Sequence, residues 1–319
     1  MFTVRITSLF ALWTASLLLV GCSSIGSPSA TPAPSGSTTA PTPSAIVNVW
    51  AKPGGVAVTA IPLGDGKFST NGPAAGTIYS CQPASPNAPG AQAVGPWVHG
   101  TTWNAVEKVA VAGAVTWPTA MFKVSTNAGQ RTITTNDLPV NNVTGSFPVT
   151  DSDPAAAYDK NPNAISAALA FTFTLPISPH DSASPNCLGM GAIGMLLNGV
   201  LLFNAVDARG DDAVAHEVQD VCQGHPQDRG SYHYHDVPTC LRDNATGSST
   251  VVGWAVDGYP IVVERDAAGE LPNNGDLDRC HGRTSPILLD GQVVAQYHYS
   301  ATLEYPYTVG CLAAPATAN

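Results

Sequence analysis

Three apolar stretches of the chain are each interrupted by a turn-forming pair, and these pairs constrain the fold more than any other feature. They are Asn198-Gly199, Asp257-Gly258 and Asp290-Gly291. Asn-Gly and Asp-Gly between apolar runs are the strongest short-range signal of a β-hairpin, because these residues tolerate positive φ. The sequence therefore predicts a mainly β fold: an antiparallel sandwich-like or barrel-like domain with hairpins, at most short helices, and antiparallel pairing throughout.

Two local departures from this pattern are expected. Pro260 follows the second turn and lacks the N–H that a strand donates to its neighbour, which predicts an edge strand or a bulge at that point. A helix is predicted from Asp211 to Val221, because Asp211 or Asp212 can cap its start and apolar residues then recur at helical spacing.

Residues 1–21 have the composition of an export signal. Arg5 precedes an apolar run from Leu9 to Val20 that is too short to span a bilayer as a mature helix. The run ends in Leu19-Val20-Gly21-Cys22, which resembles a bacterial lipoprotein cleavage box. This resemblance implies cleavage before Cys22 and attachment of fatty acyl chains such as palmitate, which would anchor the protein to the membrane. An ordinary secretory signal that contains a cysteine is the alternative.

The segment after the signal is built of residues that cannot form a core. Residues 22–45 are almost wholly Ser, Pro, Thr, Ala and Gly, which predicts a disordered tether. We expect an accessory β segment over 46–118 and the main domain over 119–312. The predicted location is the bacterial cell envelope, lipid-anchored and extracytoplasmic. Ser23 resembles the residue that follows the lipidated cysteine in outer-membrane lipoproteins of Gram-negative bacteria.

Six cysteines remain once Cys22 is set aside. An even number in an exported chain predicts disulfides, because the compartment beyond the membrane is oxidising. The sequence alone does not choose among the pairings, although we favour Cys222 with Cys240, which would close the loop that carries the richest histidine motif. Thiolate ligation of a metal is less favoured, since no Cys-x-x-Cys occurs. The six are Cys81, Cys187, Cys222, Cys240, Cys280 and Cys311.

Charge and composition exclude one class of partner. The formal net charge is −10, with only 13 Lys and Arg scattered along the chain. Such a field repels nucleic acid, so no nucleic-acid partner is expected. The 30 glycines and 27 prolines fit a turn-rich β protein.

The run Tyr232-His-Tyr-His235 carries the strongest chemical signal. In an extended strand, side chains alternate, so His233 and His235 would share one face with Cα atoms about 6.5–7 Å apart. Two such imidazoles can converge on one metal ion, with His225 and Asp220 as further ligands. Nitrogen and carboxylate ligands favour Zn, Cu or Fe over Ca. The alternative is a strand whose imidazoles only form hydrogen bonds.

The same block resembles the YHYH-domain family. The resemblance rests on Asp220-Val-Cys-Gln-Gly-His225-Pro, on Tyr232-His-Tyr-His235 and on Gly253-Trp-Ala-Val-Asp257-Gly258, among other matches over residues 120–312. The family is defined by sequence, so the resemblance implies no particular activity. One departure occurs near the C-terminus, where the family tends to repeat Tyr-x-Tyr-His and this chain has Tyr297-His298-Tyr299-Ser300.

Other polar residues are candidates beside these histidines. If the predicted helix forms, His216 and Asp220 would lie on one face, and Glu217 or Asp220 could act as general base to a metal-bound water. Asp220 could instead orient an imidazole. A second cluster has oxygens spaced as in a calcium loop, but a polar turn held by a disulfide explains it better. Its members are Asp257, Asp276, Asp278, His281 and Arg283.

Two functions of different class follow from these residues. The first is a metal-binding protein or metalloenzyme that uses the histidines, with the reaction unassigned. The second is a non-catalytic envelope module that binds a glycan or an envelope protein through a surface of Tyr and Trp side chains.

Overall fold

The computed structural model describes residues 56–88 and 94–317 of the chain. The predicted signal peptide, the Cys22 lipidation site and the tether lie outside these residues. The described residues belong to one compact unit, Ser44–Asn319. Within them, every helix is too short or too polar to cross a bilayer.

Short strands dominate the chain, as the sequence predicts. Two helices of one turn each also form, α1 (Ala213–His216) and α2 (Thr239–Arg242), with 3-10 turns at Pro154–Ala157, Asp228–Gly230 and Asn274–Asp276. The strands are β1 (Ile61–Pro62), β2 (Phe68–Ser69), β3 (Ile78–Tyr79), β4 (Val98–His99), β5 (Thr102–Trp103), β6 (Phe122–Asn127), β7 (Gln130–Thr135), β8 (Phe171–Pro176), β9 (Ala192–Leu196), β10 (Leu201–Phe203), β11 (Gly224–Pro226), β12 (Tyr232–Tyr234), β13 (Ser249–Ala255), β14 (Pro260–Glu264), β15 (Gly282–Leu289) and β16 (Gln292–Ser300).

All three predicted hairpins are confirmed. The pairs β9–β10, β13–β14 and β15–β16 are antiparallel and are joined by the predicted Asn-Gly and Asp-Gly turns. Gly199 and Gly258 have φ of 91° and 92°, a backbone conformation that favours glycine. The turns therefore form because of the same local backbone preference that predicted them from the sequence.

The prediction of antiparallel pairing throughout is wrong at three junctions. The large sheet has the order β11-β12-β10-β9-β13-β14-β16-β15, in which β10–β12 and β14–β16 are parallel. At each end of this sheet, a hairpin docks through its second strand, which then runs parallel to the strand beside it. The pair β2–β3 is also parallel.

The smaller sheets build a second layer. The sheet β6-β7-β8 contributes Ile133 and Phe173 to the same core as Leu201, which gives the fold its sandwich-like character. Arg131 stacks over the Trp254 ring at 3.5 Å and ties this sheet to the large one. The strands β1–β5 come from the predicted accessory segment.

The two local expectations had different outcomes. Strand β14 is an interior strand, so the edge alternative for Pro260 is wrong; Pro260 is the first residue of its strand, and the bulge lies opposite, between Val251 and Gly253. The predicted helix is only one turn long. Asp212 caps it as expected, but Glu217 is already extended, with φ −82° and ψ 133°.

All six predicted cysteines form disulfides. The pairing of Cys222 with Cys240 is confirmed. The other two bonds join Cys81 to Cys187 and Cys280 to Cys311. The Cys222–Cys240 bond brackets the Tyr-His-Tyr-His segment and fixes the loop that leads into it.

Candidate metal centre

Two strands at one edge of the large sheet present the histidines. His225 on β11 lies directly across from His233 on β12. His235 follows β12 and shares the face of His233, while Tyr232 and Tyr234 point to the other face and pack with each other at 5.5 Å between ring centroids. Strand alternation thus separates an imidazole face from a phenol face.

The three imidazoles converge. One nitrogen from each of His225, His233 and His235 lies within 4.8 Å of the other two, and all three residues are buried. The Nε2 atoms of His225 and His235 are 3.3 Å apart. Two nitrogens at about 2.0–2.1 Å from one tetrahedral Zn²⁺ would lie about 3.3–3.4 Å apart, so this spacing fits a shared ion.

Backbone carbonyls fix the tautomers of two of these rings. Nδ1 of His235 donates to the Asn204 carbonyl oxygen at 2.6 Å, and Nδ1 of His233 donates to that of Ser231 at 3.3 Å. A carbonyl oxygen only accepts, so each Nδ1 carries a hydrogen, and in the neutral ring Nε2 is the nitrogen with the lone pair. Metal-binding histidines almost always have their second nitrogen held in this way.

Glu217 closes the cluster. Its Oε2 atom lies 3.0 Å from Nε2 of His225 and 2.9 Å from Nε2 of His235. Burial raises the pKa of Glu217, but the adjacent His235 and His225 outweigh burial and hold that pKa well below its ordinary value. An ionised carboxylate and the lone pair of His235 therefore meet at a point that requires a cation, either a second proton on the ring or a metal ion.

The electrostatic setting differs between the two histidines of the motif. Burial, together with the two neighbouring imidazoles, lowers the pKa of His233 well below its ordinary value, which keeps this ring neutral. Burial also lowers the pKa of His235, but the Glu217 carboxylate outweighs it and raises that pKa. His233 is thus ready to bind a metal, while at His235 a metal competes with a proton.

The structure does not bring Asp220 to the histidines. Its Oδ2 atom accepts hydrogen bonds from the Gly145 amide at 2.7 Å and from the Tyr232 hydroxyl at 2.8 Å, on the phenol face of the sheet. Its Oδ1 atom accepts from the Cys222 amide at 2.9 Å. Asp220 therefore organises the loop and the tyrosines, and neither ligates with the histidines nor orients one of them.

The predicted proximity of His216 to Asp220 is wrong, because the helix that would align them ends at His216. His216 instead forms an ion pair with Asp65, with Nε2 2.9 Å from Oδ1. The second predicted cluster is a set of polar turns. Asp276 accepts from the Asn273 amide in the capping box of a 3-10 turn, and Asp278 accepts from the Cys280 amide beside a disulfide.

The remaining members of that cluster are also structural. Asp257 accepts from the Tyr299 hydroxyl at 2.5 Å, and burial raises the pKa of Asp257 to about 6. His281 bonds to Thr302, and Arg283 lies on β15. Across residues 56–88 and 94–317, only His225, His233 and His235 meet the geometric requirement for a metal site.

The sequence identified Glu217 as a candidate ligand and a possible base, but did not predict its contact with two imidazoles. It also missed Asn204, whose carbonyl sets the tautomer of His235. A backbone acceptor leaves no trace in residue type. The position of the Glu217 carboxylate could not be predicted, because it depends on α1 ending at His216.

Comparison with known proteins gives one match. The family model described as YHYH protein matches residues 172–270, which contain most of β8, all of β9 to β14, the three histidines and Glu217. Searches of curated proteins and of solved structures found no significant match.

Proposed function

We propose that this chain, which the YHYH family model matches over residues 172–270, is a lipid-anchored, extracytoplasmic protein that binds one transition-metal ion. His225, His233 and His235 would hold the ion, with Glu217 as a carboxylate ligand or as the base beside it. Nitrogen-rich donor sets of this kind suit Zn, Cu or Fe. The reaction, if any, is left unassigned.

The observation that carries this proposal is the meeting of His225 Nε2, His235 Nε2 and Glu217 Oε2 within 3.3 Å of one another. Hydrogen bonds at Nδ1 hold two of the three rings and leave Nε2 as the nitrogen that can bind a metal. Asp159 and Asp207 also lie near Glu217. Burial raises the pKa of each aspartate, and the negative charge of Glu217 raises it further. The surroundings of the cluster are therefore acidic. An acidic surrounding favours a cation.

A bound metal ion would supply Lewis acidity and would lower the pKa of a coordinated water. The residues of this chain would contribute orientation. The Asn204 and Ser231 carbonyls hold the rings, and the disulfide of Cys222 with Cys240 holds the loop.

The alternative function, a glycan- or protein-binding module, requires aromatic side chains on the surface. Most of the aromatic rings are instead inside the described part of the molecule, including Trp97, Trp103, Trp254, Tyr232 and Tyr234. This burial leaves the metal hypothesis with the stronger support.

Elemental analysis tests the proposal directly. We expect the purified protein to carry about one equivalent of Zn, Cu or Fe, and we expect His233→Ala and His235→Ala each to abolish it. His180→Ala is the matched control, because His180 is exposed and outside the cluster. Absence of all three metals, together with no rise in melting temperature when any is added, would refute the metal site.

Membrane anchoring is tested separately. The lipobox Leu19-Val20-Gly21-Cys22 motivates it, and the three disulfides are consistent with an oxidising compartment. We expect labelled palmitate to be incorporated into the wild type and not into Cys22→Ser. A wild type that takes up no fatty acid and is cleaved elsewhere would contradict anchoring.

A further inference from the structure

A cavity of about 530 Å³ lies next to the histidine cluster. Its walls are mainly apolar and come from β8 and β10, through Phe171, Phe173, Leu201 and Phe203. Pockets that bind small organic molecules typically have volumes of about 300–1,000 Å³ and apolar walls with a few polar groups. The cavity has the size and character of such a pocket.

Two residues of the cavity wall touch a histidine of the cluster. The Phe203 ring stacks on the His233 imidazole with 4.1 Å between centroids and 26° between planes. Ser231, also in the wall, accepts the Nδ1 hydrogen of His233 on its carbonyl oxygen. A single layer of side chains therefore separates a molecule in the cavity from the proposed metal ligands.

The rim indicates the charge of the occupant. Asp228 and Arg229 are adjacent, exposed and of opposite sign, so together they select neither an anion nor a cation. The net charge of −10 disfavours an anion further, and the proposed metal ion beside the cavity would repel a cationic ligand. Arg229 has a φ of 65°, an uncommon conformation for a residue other than glycine that often occurs where a ligand is held.

We propose that this cavity binds a small uncharged aromatic molecule beside the metal. Aromatic ligands stack against or meet the edges of phenylalanine rings, and three such rings line the cavity. Gln227 and the paired charges of the rim would bond to a polar group at the outer end of the ligand. This assignment rests on the proposed function, because it makes the cavity the substrate or ligand site of the metal centre.

The test uses the full chain secreted as Cys22→Ser, which keeps lipid and detergent out of the assay. The probe is N-phenyl-1-naphthylamine, an uncharged fluorophore that brightens in apolar sites, and its anionic sulfonate analogue is the comparison. We expect saturable binding of the uncharged probe and weaker binding of the anion. Equal or tighter binding of the anion would overturn the assignment of an uncharged ligand.

Two glycines provide a matched pair of variants. Gly191 lines the cavity and is exposed, and a Cβ added there meets nothing within 4 Å. Gly189 has the same freedom but does not line the cavity. Gly191→Phe should weaken probe binding by about tenfold or more, whereas Gly189→Phe should leave it unchanged. Equal affinities in the two variants would overturn the cavity site.

Cobalt separates this proposal from the proposed function. In Co²⁺-loaded protein, saturation with the probe should shift the visible absorption of the metal. An unchanged spectrum would overturn the placement of the ligand beside the metal. If Co²⁺ does not bind while Gly191→Phe still weakens the probe, the cavity site stands and the metal function fails. If Co²⁺ binds but the two glycine variants behave alike, the reverse holds.

Discussion

The two halves of the large sheet share one scaffold but differ in chemistry. Residues 192–235 and 249–300 each contain a hairpin at the middle of the sheet and a second hairpin that docks outside it through its second strand. In each half, this docking strand carries Tyr-His-Tyr, at Tyr232–Tyr234 and at Tyr297–Tyr299. Each half is therefore one copy of a common arrangement.

In the first half, an aspartate organises the turn before the outer hairpin. Asp220 Oδ1 accepts from the amides of Cys222 and Gly224 at 2.9 and 3.2 Å. Asp220 Oδ2 accepts from the Tyr232 hydroxyl.

The second half repeats these contacts atom by atom. Asp278 Oδ1 accepts from the amides of Cys280 and Gly282 at 2.8 and 3.0 Å, and its Oδ2 accepts from the Tyr297 hydroxyl at 3.0 Å. The cysteine of each turn forms a disulfide. The scaffold that carries the histidines is therefore not what makes a metal site.

The difference lies in the partners of the central histidine. His233 faces His225 across the strand pair, whereas His298 faces Arg283. His298 Nδ1 donates to the Gln296 carbonyl at 2.8 Å, and its Nε2 donates to the Glu264 carboxylate at 2.7 Å.

His298 is held between Gln296 and Glu264 much as His235 is held between Asn204 and Glu217, but no second imidazole in the described part of the chain reaches Glu264, whose other partners are the Ser285 and Ser300 hydroxyls. Burial raises the pKa of Glu264, but the hydrogen bond and the charge of His298 outweigh it and lower that pKa. Among the described residues, the first half differs from the second in that three imidazoles converge there, and this convergence makes it the candidate metal site.

The largest expected effect is the removal of His298. His298→Ala leaves the Glu264 carboxylate buried without its partner, which should lower the free energy of unfolding by about 3–5 kcal/mol. Urea denaturation of chelator-treated protein measures this. Adding Glu264→Gln should recover most of the loss, and metal stoichiometry should not change. A loss below about 1 kcal/mol would show that the pair is not a buried ion pair.

Metal removal should have the next largest effect, confined to the first half. At a free metal concentration of about 100 times Kd, the ion stabilises the native state by about 2.7 kcal/mol, which a chelator should abolish. His235→Ala should show no response to chelator, while the double variant of His298 and Glu264 should respond like wild type. A full response in His235→Ala would place the ion elsewhere.

Acid should weaken the second half. The folded-state pKa of Glu264 lies below its ordinary value of 4.5, so its contribution is present above about pH 4.5 and is lost as pH falls through the folded pKa. Between pH 5 and pH 3, we expect the free energy of unfolding of metal-free wild type to fall more than that of Glu264→Gln. The difference should correspond to the titration of about one group. Parallel pH profiles for the two proteins would exclude this pair as an acid-sensitive contact.

The smallest effect should come from the matched tyrosines. Tyr232→Phe and Tyr297→Phe each remove one hydrogen bond to the equivalent aspartate, worth about 0.5–1.5 kcal/mol. Tyr232 is fully buried and Tyr297 is half-buried, so the loss should be greater at Tyr232. Metal content should be unchanged in both. A larger effect at Tyr297 would break the equivalence of the two halves.

The features that sequence predicted are those set by neighbouring residues. The hairpin turns follow from local backbone preference at Asn198-Gly199 and its two counterparts, and the shared face of His233 and His235 follows from strand alternation. The docking of each outer hairpin through its second strand depends on distant contacts. No periodic pattern in the sequence indicates this docking, so the parallel strand pairs were not predicted.

The early end of α1 shows the same limit within the site. Asp212 caps the helix, but its Oδ2 atom also accepts from the Gly64 amide and from the Tyr307 hydroxyl, both distant in sequence. These contacts fix where the helix begins. At its other end, Lys108 and Trp97 donate to the Val214 and Ala215 carbonyls, which a further turn would use, and Glu217 extends toward the imidazoles. Local propensity favoured a longer helix, and tertiary contacts overrode it.

The position of His225 has a consequence for how fast an ion could be exchanged. Strand β11 is the outermost strand of the large sheet, has only three residues, and pairs on one side alone. Separation of such a strand is a local opening that costs less than global unfolding. Release of a buried ion should therefore follow the fraying of this edge, with the adjacent Cys222 disulfide limiting how far it opens. The residence time of the metal ion would then depend on the opening of β11 and on the Cys222–Cys240 disulfide, and not on the stability of the core.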